Sequence, residues 1–507
     1  MLLCVIDGWT SRVFIPAREE GRLPNFTELA RAGYFNPNCI SIFPSITPAA
    51  LASIITGRYP AEHGLAGAYW YDTDTEEVMY FGDDIWVVLN RGMNNFIRDF
   101  LVKLNHQYLN AETLCQRVEQ EGLKAACLNY FIYRGDVEHK FRLPPLFRIL
   151  DLVPGVSFPR IVLGPSTMIL GDFVSSGIDL SGGLTGRFGF EDDYTIDALV
   201  QLIERKSLPD FTVAYFPSYD KLGHDVGLDG AFSKLEHLDE RLGEVVQAFG
   251  GLERMLEEVC LVMTADHSMS NVLDDEEESA IRLDARLTGF QVADAGNPWR
   301  EGDQLKVCPN LRAAHIYFRR FTPDLLQGAV EQLLPDPRID QIMWRADLTG
   351  KEDRGFRVVT RNRGSLLFWK GADGDKTARD HYGCPWSWQG DLSTIDAHVS
   401  EENVILSENY PNAFERIASI LNLEDNGHLM VTAWPGYEFK LPRTSIHGGG
   451  GSHGSLHAQD SVVPLLIAGA PGGIELPPYP RTVDVAPICL NVLGLEAERQ
   501  VGVSHVD

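Results

Sequence analysis

Cysteine is scarce in this 507-residue chain, and its eight copies stand far apart. Cys4, Cys39, Cys115, Cys127, Cys260, Cys308, Cys384 and Cys489 form no Cys-x-x-Cys pair, which argues against a thiolate zinc site. Several sit inside apolar runs, where a thiol behaves as a small hydrophobe, and this usage favours a reduced compartment. Positive charge is also in deficit. The 44 Lys and Arg face 71 Asp and Glu, a formal net charge of −27. A nucleic-acid polymer as partner needs clustered bases, so none is expected. The same balance argues against a surface that grips anionic membranes. No apolar run reaches transmembrane length and no signal peptide precedes the first strand. The expectation is a cytoplasmic protein as the sequence stands, exported if the chain is a trimmed form. Internal repeats and long low-complexity tracts are absent.

What the chain does have is short apolar runs that end in carboxylates and imidazoles. Leu2-Leu3-Cys4-Val5-Ile6 ends in Asp7. The run from Val259 to Ala265 ends in Asp266-His267. The run from Thr212 to Phe216 is followed by Asp220 and His224, four positions apart. Near the end, the glycines 448–451 precede Ser452-His453-Gly454. Apolar runs without alternation are strands covered on both faces, as in parallel α/β sheets. Ligands of such sheets gather beyond the carboxyl ends of the strands, where Asp7, Asp220, Asp266 and His267 fall.

Residues 42–57 read as a strand end, a turn and a helix opened by Thr47 as N-cap, with Pro48 at the first helical position. Alone, this is an ordinary capped core helix. Beside six Asp and His residues it reads differently, because a hydroxyl at a helix N-terminus lies where a phosphoryl group is welcome. Asp and His suit zinc, and three protein ligands per ion leave room for substrate. Two such ions bind a nucleophile and a phosphoryl oxygen together, and coordination lowers the pKa of a threonine alcohol.

Five ordered blocks carry a family resemblance: Ile6-Asp7-Gly8, the stretch Pro44 to Gly57, Asp220-Lys221-Leu222-Gly223-His224, Ala265-Asp266-His267 and Gly451-Ser452-His453-Gly454. In these the chain resembles the alkaline phosphatase superfamily, and within it the type I phosphodiesterase / nucleotide pyrophosphatase branch. Residues 235–256 look like the long helical stretch leading into the Asp-His strand, and 462–466 and 481–487 look like the closing strand and helix. The resemblance covers roughly the first half and the last eighty residues. It implies two divalent ions, zinc foremost and manganese as substitute. It implies Asp220, His224 and His453 around one ion, and Asp7, Asp266 and His267 around the other, with Thr47 bridging to the second as nucleophile. Two departures stand out. Ser268 occupies a place where the family usually shows Gly. Ala50, the third residue after Thr47, occupies a place where many phosphodiesterases of the branch carry an Asn that donates to a phosphoryl oxygen.

The expected architecture is α/β: a doubly wound, mostly parallel, alkaline phosphatase-like sheet with an inserted cap domain. The core is expected over 1–300 and 429–507, resuming at His428-Leu429, and the cap over 301–428. Helices are expected over 25–32, 111–121 and 194–205, and a strand over 124–128. The stretches 82–108 and 143–190 read as insertions near a substrate entrance. Aromatics such as Trp70, Tyr71, Trp86, Tyr130 and Phe131 read first as core. His63 reads as a turn-fixing residue and Lys221 as solvated. Asp225, His237, Asp239 and His457 lie close to motifs without a clear chemical part. The expected activity is phosphodiester hydrolysis of a small-molecule substrate through a phosphothreonine. The alternatives are phosphonoacetate-type or phosphomonoester hydrolysis on the same core, and a binding protein that has lost its chemistry.

Overall fold

The computed structural model describes residues 1–82, 87–88, 98–151, 158–178, 180–183, 186–350 and 354–496. Two sheets of eight strands organise them. The first runs in the order Gly33–Ile40, Val462–Ala468, Leu261–Thr264, Leu2–Ile6, Phe211–Phe216, Ala125–Leu128, Thr167–Leu170, Val174–Ser175. Its centre is parallel: Leu2–Ile6 pairs in parallel with Phe211–Phe216 on one side and with Leu261–Thr264 on the other. Val462–Ala468 and Val174–Ser175 run against their neighbours. All three central strands are buried along their whole length, which is why their sequences show no alternation.

Most sequence expectations meet this sheet, but the stretch 143–190, expected as an insertion, supplies two of its strands, Thr167–Leu170 and Val174–Ser175. Helices form over Pro24–Arg31 and Asp192–Glu204, and a strand over Ala125–Leu128. The helix expected from 111 begins only at Leu114, because Thr113 caps it by accepting from the Gln116 N–H. The helical stretch expected over 235–256 belongs to Ser218–Ala248 and Leu252–Glu258, with Gly250 and Gly251 at positive φ between them.

The second sheet is antiparallel and runs Leu305–Asn310, Ala313–Phe318, Leu429–Ala433, Ile339–Arg345, Phe356–Val359, Ser365–Lys370, Pro385–Gly390, Lys376–Arg379. Leu429–Ala433, which the sequence suggested as the resumption of the core, is therefore an inner strand of this second sheet. An apolar run fits either sheet equally well, and only the pairing decides. All eight cysteines are buried free thiols. Trp86 and much of 82–108 lie outside the described residues. Among the described residues, no helix is long and apolar enough to cross a membrane.

Candidate active site

Three neighbouring strands of the first sheet deliver the acidic groups to one edge. Asp7 follows Leu2–Ile6, Asp266 and His267 follow Leu261–Thr264, and Asp220 and His224 lie on the opening turns of helix Ser218–Ala248, just after Phe211–Phe216. An i, i+4 spacing stacks Asp220 and His224 on one helix face. Their Oδ2 and Nε2 atoms are 3.3 Å apart. His453 enters on the chain that follows the two-residue strand Gly451–Ser452, which pairs with Ser270–Asn271 just beyond His267. Gly8 makes the convergence sterically allowed. Its φ is +68°, and a Cβ there would meet Asp220 Oδ1 at 2.9 Å. Its N–H instead donates to Asp266 Oδ1 at 3.3 Å.

The buried ligand-type atoms fall into two groups that share His267: Asp7, Asp266, His267 and Asp220, His267, His453. His224 Nε2 adjoins the second group, 3.3 Å from His453 Nε2. The Thr47 hydroxyl lies 3.1 Å from His267 Nε2. Ser45, the other nearby hydroxyl, turns away and donates to Ser455 O at 3.0 Å.

Each imidazole is oriented by a backbone carbonyl. His224 Nδ1 meets Gly451 O at 2.8 Å, His267 Nδ1 meets Ser268 O at 3.1 Å, and His453 Nδ1 meets Ser45 O at 2.7 Å. A carbonyl only accepts, so Nδ1 carries the proton and Nε2 presents a lone pair in the neutral ring. The carboxylates add more acceptors. Asp7 Oδ1, Asp220 Oδ1 and Asp266 Oδ2 are all buried without a hydrogen-bond partner. Converging lone pairs and carboxylates with few donors among them are a poor arrangement unless a cation joins them. The donor set therefore fits divalent ions of the zinc type.

The electrostatics carry the same signature. Burial, then the neighbouring Asp220 and Asp266, hold the Asp7 carboxyl well above the usual range. Burial also raises Asp266, with His267 opposing. Burial works against charged Asp220 too, but His224 outweighs it and pulls that carboxyl down. Burial disfavours charged His224, yet Asp220 pushes it up to about 9. His453 is held well below its ordinary value by burial and by His267.

The structure brings together all seven residues singled out in the sequence but changes the local account of two others and of Thr47 itself. Thr47 is the first helical residue of Thr47–Thr56, not its cap. Ile46 occupies the N-cap position, and no side chain caps the helix. The hydroxyl is thus unengaged by its own helix and available to the site. Ala50 is fully buried within the packed helix, where a longer side chain has to displace its neighbours. Ser268 is buried and its N–H donates to Asp460 O at 3.0 Å. His63 is a core residue, its Nε2 2.9 Å from Ser53 Oγ. Asp239 accepts from the Asn25 and Phe26 N–H groups at the start of helix Pro24–Arg31. Lys221 is exposed.

Sequence reasoning missed several supporting residues. The Tyr215 hydroxyl donates a short hydrogen bond to Asp7 Oδ2. The His447 ring lies 4.3 Å from the His224 ring, and its Nδ1 is 3.0 Å from Oε1 of buried Glu438. Arg312 and Asp460 form a fully buried ion pair beside the His453 loop. Tyr215 left one faint signal, a polar tip at the end of an otherwise apolar strand.

The sheet order, the edge that gathers the ligands and the antiparallel second sheet together define an alkaline phosphatase-like α/β fold. Solved structures share it along nearly the whole chain. Human ectonucleotide pyrophosphatase / phosphodiesterase 5 is 12% identical, with a TM-score of 0.55, covering 98% of this chain and 96% of that one. The murine counterpart is 12% identical, with a TM-score of 0.56, covering 99% and 97%. Phosphonoacetate hydrolase from Sinorhizobium meliloti 1021, in complex with phosphonoacetate, is 15% identical, with a TM-score of 0.56, covering 97% and 95%. No curated protein sequence matches the chain. The chain belongs to the type I phosphodiesterase / nucleotide pyrophosphatase family, whose family model matches residues 1–320. It is an enzyme of the phosphoester-hydrolase kind.

Proposed function

We propose that this enzyme hydrolyses phosphodiesters of small molecules with two divalent metal ions and a covalent phosphothreonine at Thr47. The observation that supports this most directly is the position of the Thr47 hydroxyl, 3.1 Å from His267 Nε2, at the mouth of two acceptor-rich groups that need cations. In this reading Asp220, His224 and His453 hold one ion, and Asp7, Asp266, His267 and Thr47 hold the other. Zinc is the first candidate and manganese the second. When bound, the ions supply Lewis acidity that lowers the Thr47 pKa and offsets phosphoryl charge.

The chain's own part follows. Thr47 is half-buried and opens a helix, so in this reading its Oγ1 is open to substrate and the phosphoryl oxygens lie at the helix N-terminus. There the Thr47 and Ala49 N–H groups have no acceptor within the helix, and Pro48 has no N–H to give. Thr47 Oγ1 bonds to phosphorus as the ester bond to the leaving alcohol breaks, and the alcohol takes up a proton. Water then cleaves the Thr47–phosphorus ester, restoring the hydroxyl and releasing a phosphomonoester. A diester suits the site because it carries one charge fewer than a monoester, and no Arg/Lys pair stands beside the motifs in the sequence. We also propose the division into a core over 1–300 and 434–507 and a cap over 301–433, the expected boundary at 428/429 moved so that strand Leu429–Ala433 stays with the sheet it pairs in. The competing reading is phosphonoacetate-type hydrolysis, favoured by the likeness to the Sinorhizobium enzyme.

Protein purified without chelator should contain about two ions per chain by elemental analysis. Prolonged chelation should abolish hydrolysis, and zinc or manganese should restore it. A panel of aryl diesters, aryl monoesters, nucleotide pyrophosphates and phosphonoacetate then ranks the substrates. Full activity in metal-free protein overturns the two-metal reading. Turnover of phosphonoacetate far above the diesters replaces the diesterase reading with its competitor.

A further inference from the structure

The buried ion pair Arg312–Asp460 has no place in the chemistry above, yet it reaches both segments that carry the late ligands. Arg312 lies in the turn between strands Leu305–Asn310 and Ala313–Phe318, so the second sheet contributes it. Its Nη1 donates to Asp460 Oδ1 at 2.7 Å, to Ser452 O at 2.9 Å and to Ser270 Oγ. Its Nη2 donates to Ser270 O at 2.9 Å and Asn271 O at 3.0 Å, and its Nε to Tyr437 O at 3.2 Å. Its backbone N–H donates to the carbonyl of His453 itself, at 3.1 Å. Asp460 completes the frame, accepting from the Ser455 N–H at 3.1 Å and the Ser455 hydroxyl at 2.6 Å through Oδ2. Both side chains are fully buried. The segment around His453 is thus gripped at residues 452, 453 and 455, and the segment after His267 at residues 270 and 271.

We propose that Arg312, together with Asp460, is a positioning residue for His453, fixing the ion held by Asp220, His224 and His453. This rests on the two-metal reading of the site. A lysine cannot take over, because only the planar guanidinium presents five donors in a fixed fork to carbonyls on three segments. Partners of this kind set the orientation of a ligand, and losing one lowers metal affinity about 10- to 100-fold.

The test titrates chelator-treated full-length protein with zinc, and with cobalt for its ligand-field spectrum. The variants are Arg312→Lys and, as control, Arg481→Lys. Arg481 also forms a buried ion pair, with Glu415 at 2.9 Å, but among the described residues its side chain hydrogen-bonds to Glu415 and Asp484 and to none of the ligand segments around His224, His267 and His453. Wild type should bind two ions. Arg312→Lys should keep one affinity and lose about 10- to 100-fold in the other, with an altered cobalt spectrum for that ion only. Arg481→Lys should keep both affinities whatever it does to thermal stability. If Arg312→Lys does not fold, Ser455→Ala removes only the hydroxyl donor to Asp460 and should show the same split at several-fold amplitude. Two wild-type affinities in Arg312→Lys, or in Ser455→Ala where that variant stands in, overturn the inference. Equal weakening of both ions, or the same split in Arg481→Lys, overturns it as well. A wild type that holds fewer than two ions defeats the two-metal reading instead, and this inference falls with it.

Discussion

Thr47 shows how one residue's local place decides what its loss will do. Its hydroxyl faces His267 rather than the N–H groups of its own helix, so it contributes nothing as a cap. Thr47→Ala is therefore expected to shift stability by less than about 0.5 kcal/mol, to keep its metal content, and to lose several orders of magnitude in turnover. Ser45→Ala is expected to behave in the opposite way. It strips the acceptor from the buried Gly454 N–H, 3.1 Å away, which costs about 1–3 kcal/mol, while turnover falls far less. Steady-state rates, elemental analysis and thermal unfolding of both variants check the pair. An active Thr47→Ala beside an inactive Ser45→Ala refutes the proposed nucleophile. The ligand-type residues were legible because they end or follow apolar runs or, for His453, a run of glycines, all purely local patterns. Tyr215 and Arg312 were not, since their partners Asp7 and Asp460 lie 208 and 148 positions away, and no spacing encodes such pairings.

At the scale of elements, the buried parallel strands were readable for a physical reason: with both faces covered, nothing forces alternation, and the run of apolar residues is itself the signal. The same fact hides the assignment of Leu429–Ala433, whose five buried residues are compatible with either sheet. The glycine run before His453 shows the limit of composition. Mobility and close approach both ask for glycine, and the structure answers with close approach. A Cβ on Gly450 would lie 1.9 Å from the carbonyl oxygen of His224. Gly450→Ala must push the segment away from the helix that carries Asp220 and His224, so it is expected to cost about 1–3 kcal/mol in stability. It should also weaken the ion at His224 and His453 about tenfold or more. Gly472→Ala, where an added Cβ meets nothing within 4 Å, should change neither. Matching metal titrations of the two variants decide it; an unaffected Gly450→Ala means that the segment tolerates displacement.

For the whole molecule, the deficit of positive charge reaches into the core. Three buried carboxylates and three imidazoles share one edge of the sheet, and what occupies that edge must govern stability as pH changes. In the metal-free fold, Asp7 and Asp266 are raised above the unfolded carboxylate, so their contribution is present at low pH and lost as pH rises through the raised values. Asp220 is depressed, and its contribution is present above the ordinary carboxylate range. His224 is raised from 6.5 to about 9, so the stability it adds is complete below pH 6.5 and disappears by about pH 9. Between those limits the metal-free protein should lose stability steadily. Divalent ions replace the departing protons and bind more tightly as pH rises. They stabilise the fold by about 2.7 kcal/mol per site at a hundred times the dissociation constant. The gap in thermal midpoint between metal-loaded and chelated protein should therefore widen from pH 6.5 to 9. Scanning calorimetry on both forms across this range measures it directly. A gap that narrows toward pH 9 would show that protons and metal ions do not compete for these residues, and would place the ions elsewhere in the molecule.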